Sequence, residues 1–244
     1  MTTVRLDIEY DGAEFKGWAR QSGLRTVQSE LEAALATVLR EPIGLTVAGR
    51  TDTGVHARGQ VASFETAAEP PEDLKWRLNG LTANDLTVTA TTRAKDGFDA
   101  RGDALSRTYR YRVLTRDASS PFEQGRALWW PHRIDRGALE ACAAALLGTH
   151  DFTAFTPTQT DHVHFNRKIL KANWTQAGDI LSFNVTADAF MRNMVRILVG
   201  TQLEVASGKR TQESFKQLLR GASRPEAGET APPHGLYLES VSYP

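Results

Sequence analysis

What most constrains how this chain can fold is an order of elements that occurs twice: strand, helix, strand, strand, helix, strand. Residues 3–10 open it, with Val4, Leu6 and Ile8 on one face and Arg5, Asp7 and Glu9 on the other, the two-residue period of a half-buried strand. Asp11-Gly12 marks a turn. Val27, Leu31, Ala34, Leu35, Val38 and Leu39 then recur at helical spacing, with Thr26 placed as N-cap and Glu30 and Glu32 near the positive end of the helix dipole. Strands over 44–48 and 60–65 flank a glycine-rich connection. A helix over 70–81, opened by prolines, and a strand over 86–92 complete the first set.

The second set runs from a strand at 106–114 through an apolar segment at 126–130 to a helix from Asp135 to Leu147. Strands at 167–175 and 179–187 flank Gly178-Asp179, and helices follow at 191–206 and 212–220. A closing strand occupies 236–241, and 221–233 reads as a loop. The pattern predicts an α+β fold of two ferredoxin-like (βαββαβ) halves with mainly antiparallel sheets and helices on one face. Charged, Gly/Pro-bearing linkers at 94–104 and 115–125 set the boundary, giving halves of residues 1–104 and 105–244.

Composition narrows the function classes. With 244 residues and 41% hydrophobic content, the chain buries enough surface to fold without disulfides or metals. One cysteine, Cys142, excludes an intramolecular disulfide framework and any four-thiolate metal site, and suits a reducing cytoplasm. No stretch approaches the roughly 20 apolar residues of a membrane helix, and the N-terminus lacks a signal-peptide apolar segment, so a soluble cytoplasmic protein is expected. Formal net charge is zero, from 29 basic and 29 acidic residues, which argues against a generally basic nucleic-acid binder. The charge is nevertheless uneven. Arg101, Arg107, Arg110, Arg112 and Arg116 cluster against a single acid, Asp103, and a concentrated stripe attracts phosphate even on a neutral molecule. Solvated arginines on a strand are the equally common outcome.

Three segments carry candidate chemistry. In Gly49-Arg50-Thr51-Asp52-Thr53-Gly54-Val55-His56-Ala57 the glycines permit a sharp turn and close substrate approach. Arg50 and Asp52, two apart, share a side if the segment is extended, and an ion pair there favours the carboxylate that a nucleophile or base requires. A turn-stabilising Asp with a surface Arg is the competing reading. Arg107-Thr108-Tyr109-Arg110-Tyr111-Arg112 interleaves aromatics with cations, as base stacking beside phosphate requires; the competing reading packs the tyrosines on the core. On a helix, Met191, Met194, Val195 and Leu198 bury one side while Arg192 and Arg196, four apart, share another and hold an anion. Metal signals are weak. His162-Val163-His164 beside Asp161 offers two imidazoles on one strand face without further ligands, and His150-Asp151 lacks the partners a metal phosphohydrolase needs. There is no P-loop, dinucleotide fingerprint or Gly-x-Ser-x-Gly.

Taken in order, these segments resemble the tRNA pseudouridine synthase A family. The resemblance runs from Tyr10-Asp11-Gly12-Ala13-Glu14-Phe15-Lys16-Gly17-Trp18 and Thr26-Val27-Gln28 to the Arg50-Thr51-Asp52 loop with Gly54-Val55-His56-Ala57. It continues through Phe98-Asp99-Ala100-Arg101, Arg107 with Tyr109-Arg110-Tyr111, His150-Asp151-Phe152 with Phe155, Met194-Val195-Arg196 and Gly235-Leu236-Tyr237-Leu238. The chain departs from the family pattern at Ala19, where Gln is usual, at Thr53, where Ala is frequent, and at Arg192-Asn193, where His or Tyr is frequent.

The resemblance implies two halves flanking a central, positively lined catalytic cleft, and a homodimer in which a tRNA touches both subunits. It implies isomerisation of uridine to pseudouridine at positions 38, 39 and 40 of the anticodon stem-loop, with no cofactor and no metal. By the same resemblance Asp52 is the catalytic carboxylate, Arg50 its ion-pair partner, Tyr109 the aromatic against the target base and Arg196 a second cationic group. Whether Asp52 attacks C1′, adds to C6 or promotes loss of the C2′ proton is open. Two other classes compete: a non-catalytic RNA-binding protein with the tyrosines as stacking platforms, and a metal-dependent phosphohydrolase using Asp52 and the histidines.

Overall fold

A computed structural model of the chain describes residues 1–160 and 162–244. In chain order its elements are β1 (Thr2–Tyr10), α1 (Val27–Leu39), β2 (Thr46–Val47), β3 (His56–Thr66), α2 (Leu74–Asn79), β4 (Leu86–Arg93), β5 (Ser106–Leu114), β6 (Leu128–Trp129), α3 (Arg136–Ala145), β7 (Gly148–Asp151), β8 (Asn166–Ala177), β9 (Ile180–Ala187), α4 (Met194–Ala206), α5 (Gln212–Leu218) and β10 (Leu236–Ser242). They form two compact units, Met1–Leu105 with Tyr237–Pro244, and Ser106–Leu236. The structure is thus mixed α/β with mostly antiparallel sheets, as expected.

In the first unit the strands run β4-β1-β3-β10, with β2 also on β3. The alternation of β1 sets the register: Leu6 lies opposite Ala62 of β3 and Thr91 of β4, both antiparallel. Leu6, Ile8 and Val88 are buried together with Leu31 and Leu35 of α1 and Leu74 and Leu78 of α2. Each large aliphatic side chain removed from water contributes about 1.5–3 kcal/mol. A smaller cluster holds Ala48, Val61 and Ala100 with Phe98, Val241 and Tyr243. Thr26 caps α1 as expected, its hydroxyl accepting from the Ser29 amide in a capping box. The helix expected over 70–81 is shorter, because tandem prolines hold the chain extended and Gly80 follows its end. The strand expected over 44–48 shrinks to two residues behind Pro42 and Gly44.

In the second unit the strands run β5-β9-β8-β7, all antiparallel, with β6 parallel to β5. Asp135 caps α3, accepting from the Ala138 amide at 3.1 Å. Cys142 of α3 is buried, and that burial pushes its thiol up to about 11 against the opposing pull of Lys216. β7 was not expected; Gly-Thr-His-Asp is too short and polar to show a strand period. Two expectations need correction. Helix α4 begins at Met194 rather than at 191, because Asn193 takes a left-handed conformation (φ 60°) ahead of it. The closing strand, counted with the second half from its place in the sequence, pairs in parallel with β3, Tyr237 opposite His56, and so belongs to the first unit.

Candidate active site

Asp52 stands in the connection between β2 and β3, where the chain reverses through Gly54 (φ +77°) and the Val55 amide closes a turn onto the Asp52 carbonyl at 3.1 Å. The backbone around it is fixed from several sides. The buried Thr51 accepts from the Trp18 amide at 3.0 Å, and its hydroxyl lies 2.8 Å from the Tyr10 hydroxyl. Gln60 donates to the Gly49 carbonyl at 2.8 Å and to the Tyr10 hydroxyl at 3.3 Å. Burial pushes Tyr10 up to about 12, with the hydrogen bonds to Thr51 and Gln60 pulling the other way, so it remains a neutral phenol at physiological pH.

Two glycines set the closeness of the fit. Gly17 has φ +87°, and a side-chain carbon there would lie 2.9 Å from the Thr51 carbonyl oxygen and 3.3 Å from the Asp52 carbonyl carbon. At Gly12 the same carbon would lie 2.0 Å from the Val55 carbonyl oxygen. The Gly12 amide donates to His56 Nδ1 at 3.0 Å, a nitrogen that also lies 3.0 Å from Asp11 Oδ1, and the His56 ring stacks on Tyr237 at 4.7 Å. The Tyr10–Trp18 segment is therefore a cradle for the Asp52 loop, a role that spacing alone did not show. Asp52 itself is half-buried.

The expected Arg50–Asp52 ion pair is not made among the described residues. Arg50 is exposed, and Asp52 takes other partners. The same-side argument holds for a regular strand, whereas residues 50–52 belong to none, lying between bends at 48 and 49 and a turn at 53 and 54.

Tyr109 and Arg196 lie in the second unit. Tyr109 is on β5 opposite Val185 and buried, with the Phe190 ring edge-on at 5.0 Å and 82°. Tyr111, on the same face, donates to the Pro232 carbonyl at 2.8 Å and packs against Gly235. Burial raises its pKa well above the usual phenol value, and the nearby Arg196 charge pulls it down. Arg107 donates to the Asp188 carbonyl at 2.8 Å, and Arg112 pairs with Glu123. Arg196, in the first turn of α4, donates through Nε to the Ala231 carbonyl at 2.7 Å and through Nη1 to Asn193 Oδ1 at 2.9 Å. Arg192 lies before the helix and is exposed, so the expected Arg192–Arg196 helical pair does not form.

The other segments of the resemblance have structural work. Asp99 accepts from the amides of Arg101 and Gly102, Asp151 accepts from Thr153, and Phe152, Phe155 and Phe215 pack edge to edge. Among the described residues no group of three or more His, Cys, Asp or Glu side chains is placed to hold a metal ion. His162 and His164 precede β8 rather than sharing a strand face, His150 binds the Leu147 carbonyl, and Asp161 lies outside the described residues.

Comparison with known sequences gives one consistent result. A family model described as tRNA pseudouridine synthase matches residues 8–101 and 142–244. The chain is 40% identical over 243 residues to the tRNA pseudouridine synthase A of Bacillus pumilus, covering 98% of each chain. It is 42% identical over 250 residues to that of Streptomyces griseus, covering 99% of this chain and 88% of the other. The enzyme of the same name from Mesorhizobium japonicum is 38% identical over the full length of both. Among solved structures, a chain of an archaeal box H/ACA sRNP complex aligns at a TM-score of 0.33 and 10% identity, over 82% of this chain and 42% of that one.

Proposed function

The chain belongs to the tRNA pseudouridine synthase family, isomerases that convert uridine to pseudouridine in tRNA, and on that premise we propose that Asp52 is the carboxylate that carries the reaction. The observation that supports this most is the cradle. The backbone of residues 51–55 is packed against Gly12 and Gly17 and hydrogen-bonded to Phe15 and Trp18, while Asp52 stays half-exposed. A reacting group held in place before substrate arrives avoids the cost of ordering it during the reaction.

The chemistry matches a single carboxylate. The N1–C1′ bond breaks with its electron pair on N1, the uracil turns, C5 bonds to C1′, the hydrogen at C5 leaves as a proton, and N1 takes up a proton. Atoms and electrons balance without an oxidant, reductant or co-substrate. The target nucleotide leaves its stack at a cost of a few kcal/mol, and stacking on an aromatic side chain returns about 1–3 kcal/mol. In this reading Tyr109 is that aromatic, and Arg50 and Arg196 meet the charge of the substrate nucleotide. The sites are uridines 38, 39 and 40 of the anticodon stem-loop, and the enzyme acts as a cytoplasmic homodimer of ferredoxin-like halves. Support for these finer points is the residue-by-residue resemblance at Asp52, Tyr109 and Arg196.

The positional part is tested with three tRNA substrates, each carrying uridine at only one of the three positions. After reaction, pseudouridine-specific chemical modification and primer extension should stop at each of them. A stop outside the anticodon stem-loop, with none inside it, would refute the assignment.

A further inference from the structure

Among the described residues outside glycine, positive φ occurs only at Arg40 and Asn193. Arg40 ends α1 in the left-handed conformation common at helix C-termini. Asn193 has no such explanation, because it stands at the start of α4. The residues before the other helices have negative φ: −130° at Thr26, −91° at Asp73, −80° at Asp135 and −85° at Thr211. An Asn in this place ordinarily turns its side-chain oxygen onto an amide of the first helical turn. Asn193 makes no such bond. Its Oδ1 accepts instead from Arg196 Nη1 at 2.9 Å.

Arg196 is held a second time from the segment that follows α5. Its Nε donates to the Ala231 carbonyl at 2.7 Å, and its own carbonyl accepts from the Ala231 amide at 3.1 Å. That segment is seated on α4 by Gly200, where a side-chain carbon would come within 1.9 Å of the Glu229 carbonyl oxygen, and by the Gly228 amide, which donates to the Thr201 hydroxyl at 3.0 Å. Acceptors on two different nitrogens of a planar guanidinium leave it one orientation, where a free arginine has many. Phe190, three residues before Asn193, is the ring against Tyr109.

We propose that Asn193 is a positioning residue, whose amide oxygen, presented from a left-handed backbone, orients the Arg196 guanidinium for the tRNA substrate. The proposal rests on the assignment of Arg196 to the substrate site. The residue type is compatible with this: asparagine adopts the left-handed conformation more readily than most residues and supplies an acceptor without adding a charge beside RNA.

The test compares Asn193→Gly, Asn193→Asp and Arg196→Ala in the full chain, reading the single-turnover rate at saturating unmodified tRNA and the melting temperature. Asn193→Gly keeps the backbone and removes the acceptor, so it should melt with the wild type and react about tenfold more slowly, the scale of a misplaced contact group. Asn193→Asp keeps the acceptor and should stay within about threefold in rate, its added charge weakening tRNA binding instead. A wild-type rate in Asn193→Gly beside an inactive Arg196→Ala would overturn the proposal. So would equal slowing in the Gly and Asp variants, or slowing matched by a fall in melting temperature. A wild-type rate in Arg196→Ala would instead remove the assignment on which the proposal stands.

Discussion

Gly17→Ala isolates the contact between the cradle and the Asp52 loop, because the chain supplies its own control. Gly17 and Gly23 both have positive φ, +87° and +72°, but an added carbon at Gly23 meets nothing within 4 Å, while at Gly17 it meets the Thr51 carbonyl at 2.9 Å. The left-handed conformation costs an alanine about 1–2 kcal/mol at either position. Only Gly17→Ala adds the strain of overpacking, about 1–3 kcal/mol. At about 2–4 °C per kcal/mol, Gly23→Ala should melt roughly 4 °C lower than the wild type and Gly17→Ala on the order of 10 °C lower. The larger difference is in rate. Relieving a 2.9 Å contact moves the backbone at Asp52 by a few tenths of an ångström, and since a displacement of about 1 Å costs on the order of 100-fold, Gly17→Ala should lose roughly 3–10-fold in single-turnover rate. Gly23→Ala should react like the wild type. The assay is tritium release from tRNA labelled at C5 of uridine, at a temperature where both variants are folded. Full rate in a destabilised Gly17→Ala would refute the idea that the cradle positions Asp52.

Burial holds the Tyr10 proton to about pH 12, whereas the unfolded chain releases it near pH 10. Between those values the folded state keeps a proton that the unfolded state has lost, so Tyr10 lowers stability by up to about 1.4 kcal/mol per pH unit. Denaturant titrations at pH 9 and 11 should show the decline, and Tyr10→Phe should reduce its slope. Gly200→Ala puts a carbon within 1.9 Å of the Glu229 oxygen and should cost about 3 kcal/mol or more by unseating residues 227–231 from α4; a wild-type melting curve would contradict the packing. With a formal net charge of zero, tRNA binding should depend only modestly on salt. A log–log slope of about −3 to −4 in filter binding corresponds to a handful of phosphate contacts, and a slope near −10 would refute so small a footprint.

Much of the fold was legible because the patterns are strong. The alternation from Val4 to Ile8 and the stripe from Val27 to Leu39 each have one physical solution, and Thr26 caps its helix as its type dictates. What failed depended on tertiary context. The last strand alternates like any other, but nothing in its own residues says that His56 and Ala57 will be its partners. The start of α4 was misplaced because apolar spacing continues back to Met191, while the left-handed Asn193 interrupts the helix. At the site, the glycines marked a sharp turn around Asp52, but its role as the reacting group came from the resemblance alone, and the Arg50 pair was inferred from a same-side spacing that holds only in a regular strand. The role of Tyr10–Trp18 was hidden because its contacts are made by main-chain atoms of Gly12, Gly17 and Trp18, more than thirty residues away in sequence from the loop they hold.

The most direct test of the account is tritium release from C5-labelled, unmodified tRNA by the wild type and by Asp52→Ala, with tRNA binding measured for both. Formation of the C5–C1′ bond expels that hydrogen, so the wild type should release it, and Asp52→Ala should release none while binding tRNA at least as well, since the change removes a negative charge beside RNA. Release by Asp52→Ala at the wild-type rate would place the catalytic group elsewhere in the chain and contradict the account.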